Sequence, residues 1–265
     1  MFDDAEDLGD LIFGGGSIPR EILGVQNELV NNPKGDFNAQ AQDIRFTLGL
    51  RHIRSSFTFD EAYLPSEGAS PSFSRFDAIV GAMPEGVDLL PILAYAPRWL
   101  ANRPDWKDVF VSRYVIPVLD RYGRDPRIVG WEIWNEPDAF CNGRVAPAGV
   151  LDCSPEDYVD LVARVAPEIR RRSSALVVGA ATTSINQSFP RNFDFNKAMV
   201  RAGILPLIDV YNFHWYSRQL EKLTFGGIAE FLDDTGKPIW DTESGETGST
   251  DQLSFADEVF PALDD

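Results

Sequence analysis

Two glutamates in this sequence stand where they could act as a pair. Glu136 lies in Ile128-Val129-Gly130-Trp131-Glu132-Ile133-Trp134-Asn135-Glu136-Pro137-Asp138. This run begins apolar and β-rich, reads as a strand buried on both faces, and ends at Pro137, which has no N–H to give a ladder. A carboxylate behind the amide of Asn135 is thereby set at the carboxyl end of a core strand, the edge at which α/β proteins bind ligands. Glu243 lies in Trp240-Asp241-Thr242-Glu243-Ser244-Gly245, at the end of a second such strand. Two carboxyl groups across one barrel mouth are what glycosidic bond cleavage needs. One protonates the leaving oxygen; the other, at a separation of about 5 Å, attacks the anomeric carbon with retention of configuration. A bare Asn-Glu-Pro is also compatible with a chance Glu at a strand-to-loop junction, but the flanking Trp131, Glu132, Trp134 and Asp138 weigh against that.

The elements that must hold these residues alternate strand and helix. Strands are predicted at 22–26, 52–57, 89–95, 128–134, 176–181, 210–216 and 238–243, with helices at 38–48, 73–83, 106–122, 155–172, 195–202 and 219–233. Strand starts recur roughly every thirty to forty residues, the period of βα units. Ser154-Pro155-Glu156-Asp157 is a capping box with Pro at the first helical position. Gly123 and Gly203 stand where helix ends favour a residue tolerant of positive φ, and Pro117 should kink the third helix. Residues 1–20, acidic and then glycine-rich, read as a leader, and residues 21–265 as a single (β/α)8 TIM-barrel domain. Seven units are countable and the eighth strand is missing, although Leu11-Ile12-Phe13 is an alternative for that gap. The expectation is a C-terminally incomplete barrel, followed only by a last helix at 252–263.

At 265 residues and 44% hydrophobic, the chain can bury one large core, and no apolar run is long enough for a membrane span. A formal charge of −17 argues against a nucleic-acid partner, whose phosphates need a basic surface. The start of the chain lacks the basic and apolar regions of a signal peptide. Cys141 and Cys153 either close a loop of about a dozen residues as a disulfide, contributing roughly 3 kcal/mol and suggesting an extracellular or periplasmic setting, or are two free thiols. Their spacing fits no zinc site. Gly14–Gly16 lacks the Lys and Ser/Thr of a phosphate loop, and no serine occupies a Gly-x-Ser-x-Gly elbow. No metal or cofactor is expected.

Trp131 to Asp138 resembles the acid/base signature of the retaining clan A glycoside hydrolases, most closely glycoside hydrolase family 39, and Trp240 to Gly245 resembles that clan's nucleophile strand. Their order also matches, acid/base on strand four and nucleophile on strand seven. The resemblance covers roughly 22–248 and implies a retaining glycosidase acting on a β-linked carbohydrate. It makes Glu136 the acid/base, which has to be protonated before attack, and Glu243 the nucleophile, kept ionised by a nearby cation and hydroxyl. Arg54 and Tyr216 would be those neighbours, Asn135 would bond the sugar 2-hydroxyl, and His214 would line the same subsite. Arg54 could instead pair structurally with Glu132, His214 could be a core residue, and Tyr216 could simply pack. Asp241 and Glu246 compete with Glu243, the one deeper in the barrel and the other beyond Gly245. Trp99 and Trp215 are candidate platforms for sugar rings, whereas Trp131 and Trp106 read as core. The family's eighth strand, which often supplies a Trp beneath the sugar, has no counterpart here. A sugar-binding barrel without catalysis and a transglycosylase using the same two glutamates are the alternative readings.

Overall fold

Seven strands form one parallel sheet in sequence order. They are β1 (Gly24–Gln26), β2 (His52–Thr58), β3 (Asp88–Ala94), β4 (Gly130–Ile133), β5 (Leu176–Gly179), β6 (Val210–Trp215) and β7 (Ile239–Ser244). The computed structural model describes residues 23–26, 36–139, 151–185, 192–216, 218–219, 221–245, 252, 254, 255 and 259. The sheet curls into a nearly closed (β/α)8 TIM barrel, seven of whose strands lie among the described residues. The expected leader, Cys141, Glu246 and nearly all of the expected last helix lie outside them. Cys153 is disulfide-bonded, and Cys141 is the only other cysteine in the chain.

Among the described residues the α-helices include α1 (Phe37–Gln42), α2 (Ser74–Ala82), α3 (Trp106–Phe110), α4 (Ile116–Tyr122), α5 (Pro155–Arg172), α6 (Asn192–Arg201), α7 (Glu221–Thr224) and α8 (Ile228–Asp234). All seven predicted strands form, most with ends moved by one or two residues. The single helix expected over 219–233 is broken into α7 and α8 at Phe225-Gly226-Gly227. Ser154 caps α5 as the capping box requires, its Oγ accepting the Asp157 N–H at 3.1 Å. The return half of the box goes elsewhere: the Asp157 carboxylate accepts the N–H of Asp152.

Pro117 has no N–H to offer the carbonyl of Arg113. The chain passes this point through a π-helical turn, Val111–Val115, and the Tyr63 hydroxyl donates to the Arg113 carbonyl at 3.3 Å. Side chains leaving the outer face of the sheet meet an aromatic layer under the helices. Phe57 stacks on Phe76 with centroids 4.5 Å apart, and Phe59 on Tyr114 at 4.9 Å. Inside the barrel Leu90, Val178 and Val210 form a small apolar cluster against which Trp240 packs. Strands β2 to β6 are almost wholly buried, whereas the edge strands β1 and β7 are partly exposed.

Gly203 has the expected positive φ, +91°. Gly123 does not: its φ is −61°, and its role is spatial. A Cβ there would lie 2.5 Å from the Leu119 carbonyl and 2.8 Å from that of Arg172, at the close approach of α4 to the end of α5. Gly123→Ala is therefore expected to lower stability by roughly 1–3 kcal/mol, the usual cost of overpacking. Urea unfolding would read this, and an unchanged midpoint would refute the close-approach account.

Candidate active site

Groups from the carboxyl ends of β1, β4, β6 and β7 converge on one guanidinium, that of Arg54 in the first half of β2. Arg54, on β2, is buried and donates from Nε and Nη2 to the two oxygens of Glu132 at 2.7 and 2.6 Å. Its Nη2 also reaches Asn135 Oδ1 at 2.8 Å, and its Nη1 reaches Glu243 Oε2 at 2.7 Å and the side-chain oxygen of Gln26. All five N–H groups are thus used. Burial on its own would lower the Arg54 pKa, but the charges of Glu132 and Glu243 outweigh it and raise it well above the usual value. A permanent positive charge therefore stands beside Glu243. Both readings of Arg54 hold geometrically: it pairs with the buried Glu132 and also binds the candidate nucleophile.

Glu243 owes its direction to a slip in the sheet. Phe213 pairs with Asp241, but His214 pairs with Glu243, which leaves Thr242 as an extra residue. Trp240 and Thr242 already contact interior groups, so simple alternation would send Glu243 outward. The bulge turns it inward, a usual function of bulges beside active sites. Its other oxygen accepts the Tyr216 hydroxyl. Partial burial and the adjacent carboxylate push that phenol well above its ordinary pKa, so it stays protonated and donates. Asp241, the competitor, is exposed and accepts from Ser244 Oγ at 2.8 Å and from the N–H of Glu243 at 3.3 Å.

Glu136 is held by strained backbone. Trp134 and Glu136 have φ of +67° and +48°, and Tyr95 and Ala180, on the neighbouring strand ends, have +71° and +121°. Non-glycine residues in such regions cost about 1–3 kcal/mol each and persist only where surroundings enforce them. The Glu136 N–H donates to the Ala181 carbonyl at 3.0 Å. Two residues on, the buried Asp138 accepts the N–H of Thr183 at 3.0 Å and its hydroxyl at 2.6 Å. The loop after β4 is thereby tied to the loop after β5.

His214 is fully buried between the two glutamates and presents no surface to the mouth. Its Nδ1 lies 3.1 Å from Glu136 Oε1, while its Nε2 lies 3.4 Å from Arg54 Nη2 and 3.9 Å from Glu243 Oε2. Arginine cannot accept, so the ring proton belongs on Nδ1, from where it is donated to Glu136. Atoms of Glu136, His214 and Glu243 lie within 4.8 Å of one another. The trio could in principle ligate a cation, but Arg54 already places a positive charge against both His214 and Glu243.

Of the seven sequence-predicted site residues, Glu243, Arg54, Asn135, His214 and Tyr216 share one hydrogen-bond network, and Glu136 joins it through His214. Trp99 stands apart in the 3-10 turn Arg98–Leu100, with its indole N–H given to the Leu64 carbonyl at 2.9 Å. Trp215, Trp131 and Trp106 are buried. Two partners escaped sequence reasoning: Gln26, and Tyr95, whose hydroxyl lies 3.2 Å from Asn135 Nδ2. Gln26 ends the first strand and was legible by the same rule that found the others, had all seven strand ends been read.

No family model and no curated protein sequence matches the chain. Among solved structures it is similar to the endo-1,4-beta-mannanase from Rhizomucor miehei, with a TM-score of 0.66 and 20% identity over 89% of this chain and 80% of that one. The endo-1,4-beta-D-mannanase from Thermotoga petrophila RKU-1 gives 0.64 and 16% over 92% and 86%. The family 1 b-glucosidase from Thermotoga maritima gives 0.60 and 13% over 85% and 73%. These likenesses are of fold.

Asp138 supplies a pH signature. Burial raises its carboxyl to about 6 from 3.8, against the pull of the Thr183 hydrogen bonds. The folded state therefore holds this proton more tightly than the unfolded chain. The resulting stabilisation is complete below the unfolded value and is lost as pH rises through about 6. Asp138→Asn, permanently neutral, is expected to gain up to about 3 kcal/mol relative to the parent between pH 4 and 7. Urea midpoints at several pH values would test this, and parallel profiles would refute it.

Proposed function

We propose that the chain is a retaining β-glycoside hydrolase of clan A, with Glu136 as acid/base and Glu243 as nucleophile. The observation that carries this reading is the pair itself: carboxylate oxygens of the two residues within 4.8 Å at the mouth of a TIM barrel. That spacing suits direct attack rather than an intervening water, which needs a wider gap of about 6.5–9.5 Å. The mannanases and the glucosidase of similar fold bear names of enzymes acting on β-linked glycosides, which supports the substrate class. The closer likeness to family 39 rests on the two sequence motifs.

In the first step Glu243 Oε attacks the anomeric carbon as Glu136 gives its proton to the departing glycosidic oxygen. The C–O bond to the leaving group breaks and a glycosyl ester with Glu243 forms. In the second step Glu136, now a carboxylate, takes a proton from water, whose oxygen displaces Glu243 and restores the configuration. Arg54 and Tyr216 both donate to Glu243 and so stabilise the charge that returns to its oxygens when it leaves. Asn135 has its oxygen committed to Arg54, which leaves an amide N–H for the sugar 2-hydroxyl. His214 acts from beneath, as a donor to Glu136, rather than by lining the subsite. A sugar replacing water in the second step would give transglycosylation by the same groups.

The test is turnover on aryl β-glycosides and β-linked polysaccharides. Glu243→Gln is expected to lower kcat by about 10³-fold or more. Glu136→Ala should be far less damaging to the first step with a dinitrophenyl leaving group, which needs no protonation. Proton NMR of the first-formed product should show retention. A folded parent that binds sugars but releases nothing would favour the sugar-binding barrel, and product analysis with an added acceptor would identify a transglycosylase.

A further inference from the structure

The ladders that should fix the spacing of the two glutamates end too early to do so. Pairing between β4 and β5 stops at Glu132 with Val178, and pairing between β5 and β6 stops at Gly179 with Tyr211. Glu136 lies three residues past Ile133, the last residue of β4 in a ladder, and four past the last that pairs with β5. Strand ends beyond a ladder splay unless something else joins them.

Asn212 on β6 occupies that place. It is fully buried and has interior-facing contacts, as does His214 two residues further on. Its Oδ1 accepts the N–H of Ala181 at 3.0 Å, and its Nδ2 donates to Thr242 Oγ1 at 3.0 Å. The carbonyl of the same Ala181 accepts the N–H of Glu136 at 3.0 Å. Thr242 is the extra residue of the bulge and immediately precedes Glu243. Three hydrogen bonds thus run Thr242–Asn212–Ala181–Glu136, from the backbone of one carboxylate to that of the other, across four strands.

We infer that Asn212 is a positioning residue that sets the separation of Glu136 and Glu243. This rests on the glycosidase reading above. A one-residue amide is suited to the task because it both donates and accepts, in a plane of fixed dimensions. It touches neither carboxylate, so its effect is on where they stand and not on substrate binding. Retention depends on that separation, and a misplacement of about 1 Å can cost about 100-fold in rate.

The experiment uses Asn212→Leu, similar in volume but unable to form either bond, together with Thr242→Val and the double variant, all on an aryl β-glycoside. Each single variant is expected to lower kcat about 10- to 100-fold while KM stays within about twofold. The rate of inactivation by a 2-deoxy-2-fluoro glycoside, which reports formation of the glycosyl ester alone, should fall in parallel. Because both substitutions cut one chain, the double variant should be no worse than the worse single. Asn212→Asp can accept from both Ala181 and the Thr242 hydroxyl. It should recover most of the kcat lost in Asn212→Leu.

A folded Asn212→Leu with the parent's kcat would overturn the inference. So would additive losses, or losses in KM equal to those in kcat, since these point to general loosening of the barrel. If the parent itself turns over no β-glycoside, the glycosidase reading falls and this one falls with it. If the parent is active and Asn212→Leu matches it, only the positioning role is lost.

Discussion

The buried Arg54–Glu132 pair is the interaction on which the rest of the site depends. Removing two charges from water is costly, and such a pair persists only where geometry and further hydrogen bonds compensate. Here the fork of Arg54 meets both oxygens of Glu132, and its remaining donors are taken by Asn135, Glu243 and Gln26. Four strands are thereby tied to one planar group. Lysine could not replace it, having no fork and a more strongly hydrated charge. With Glu132 and Glu243 both facing one cation, Arg54 offsets much of the repulsion between the two carboxylates inside the barrel.

Around this pair, side chains take over where backbone pairing stops. The Tyr158 hydroxyl, from α5, donates to the Ile133 carbonyl at 2.8 Å and accepts the Ala180 N–H at 3.3 Å, joining the ends of β4 and β5 from the helix side. Asp138 with Thr183 joins the loops beyond. The positive φ values at Tyr95, Trp134, Glu136 and Ala180 fall in this same zone. Strain and cross-links occur together because the first needs the second.

The barrel was legible in the sequence because its signals are local. Buried strands read as apolar runs, α5 carries its capping box, and the period of βα units repeats. The two carboxylates were legible because each ends a strand. Finer features depend on contacts distant in sequence. The Arg113 carbonyl that Pro117 cannot serve is met by the Tyr63 hydroxyl, fifty residues away in sequence. Gly123 looks like a helix-ending glycine, but one of the two carbonyls that crowd it belongs to Arg172, on another helix. For His214 the sequence leaves subsite and core both open, and only the packing of β2, β4 and β6 shows that it is enclosed.

The bulge at Thr242 means that the position of Glu243 is specified by a number of residues and not by their kinds. Every side chain of β7 could be conserved in character while the loss of one residue turned the carboxylate toward the helices. Substitution scanning would never expose this dependence. A single-residue deletion in the strand would, and so would an alignment that declined to open a gap there, matching Asp241 to another chain's nucleophile.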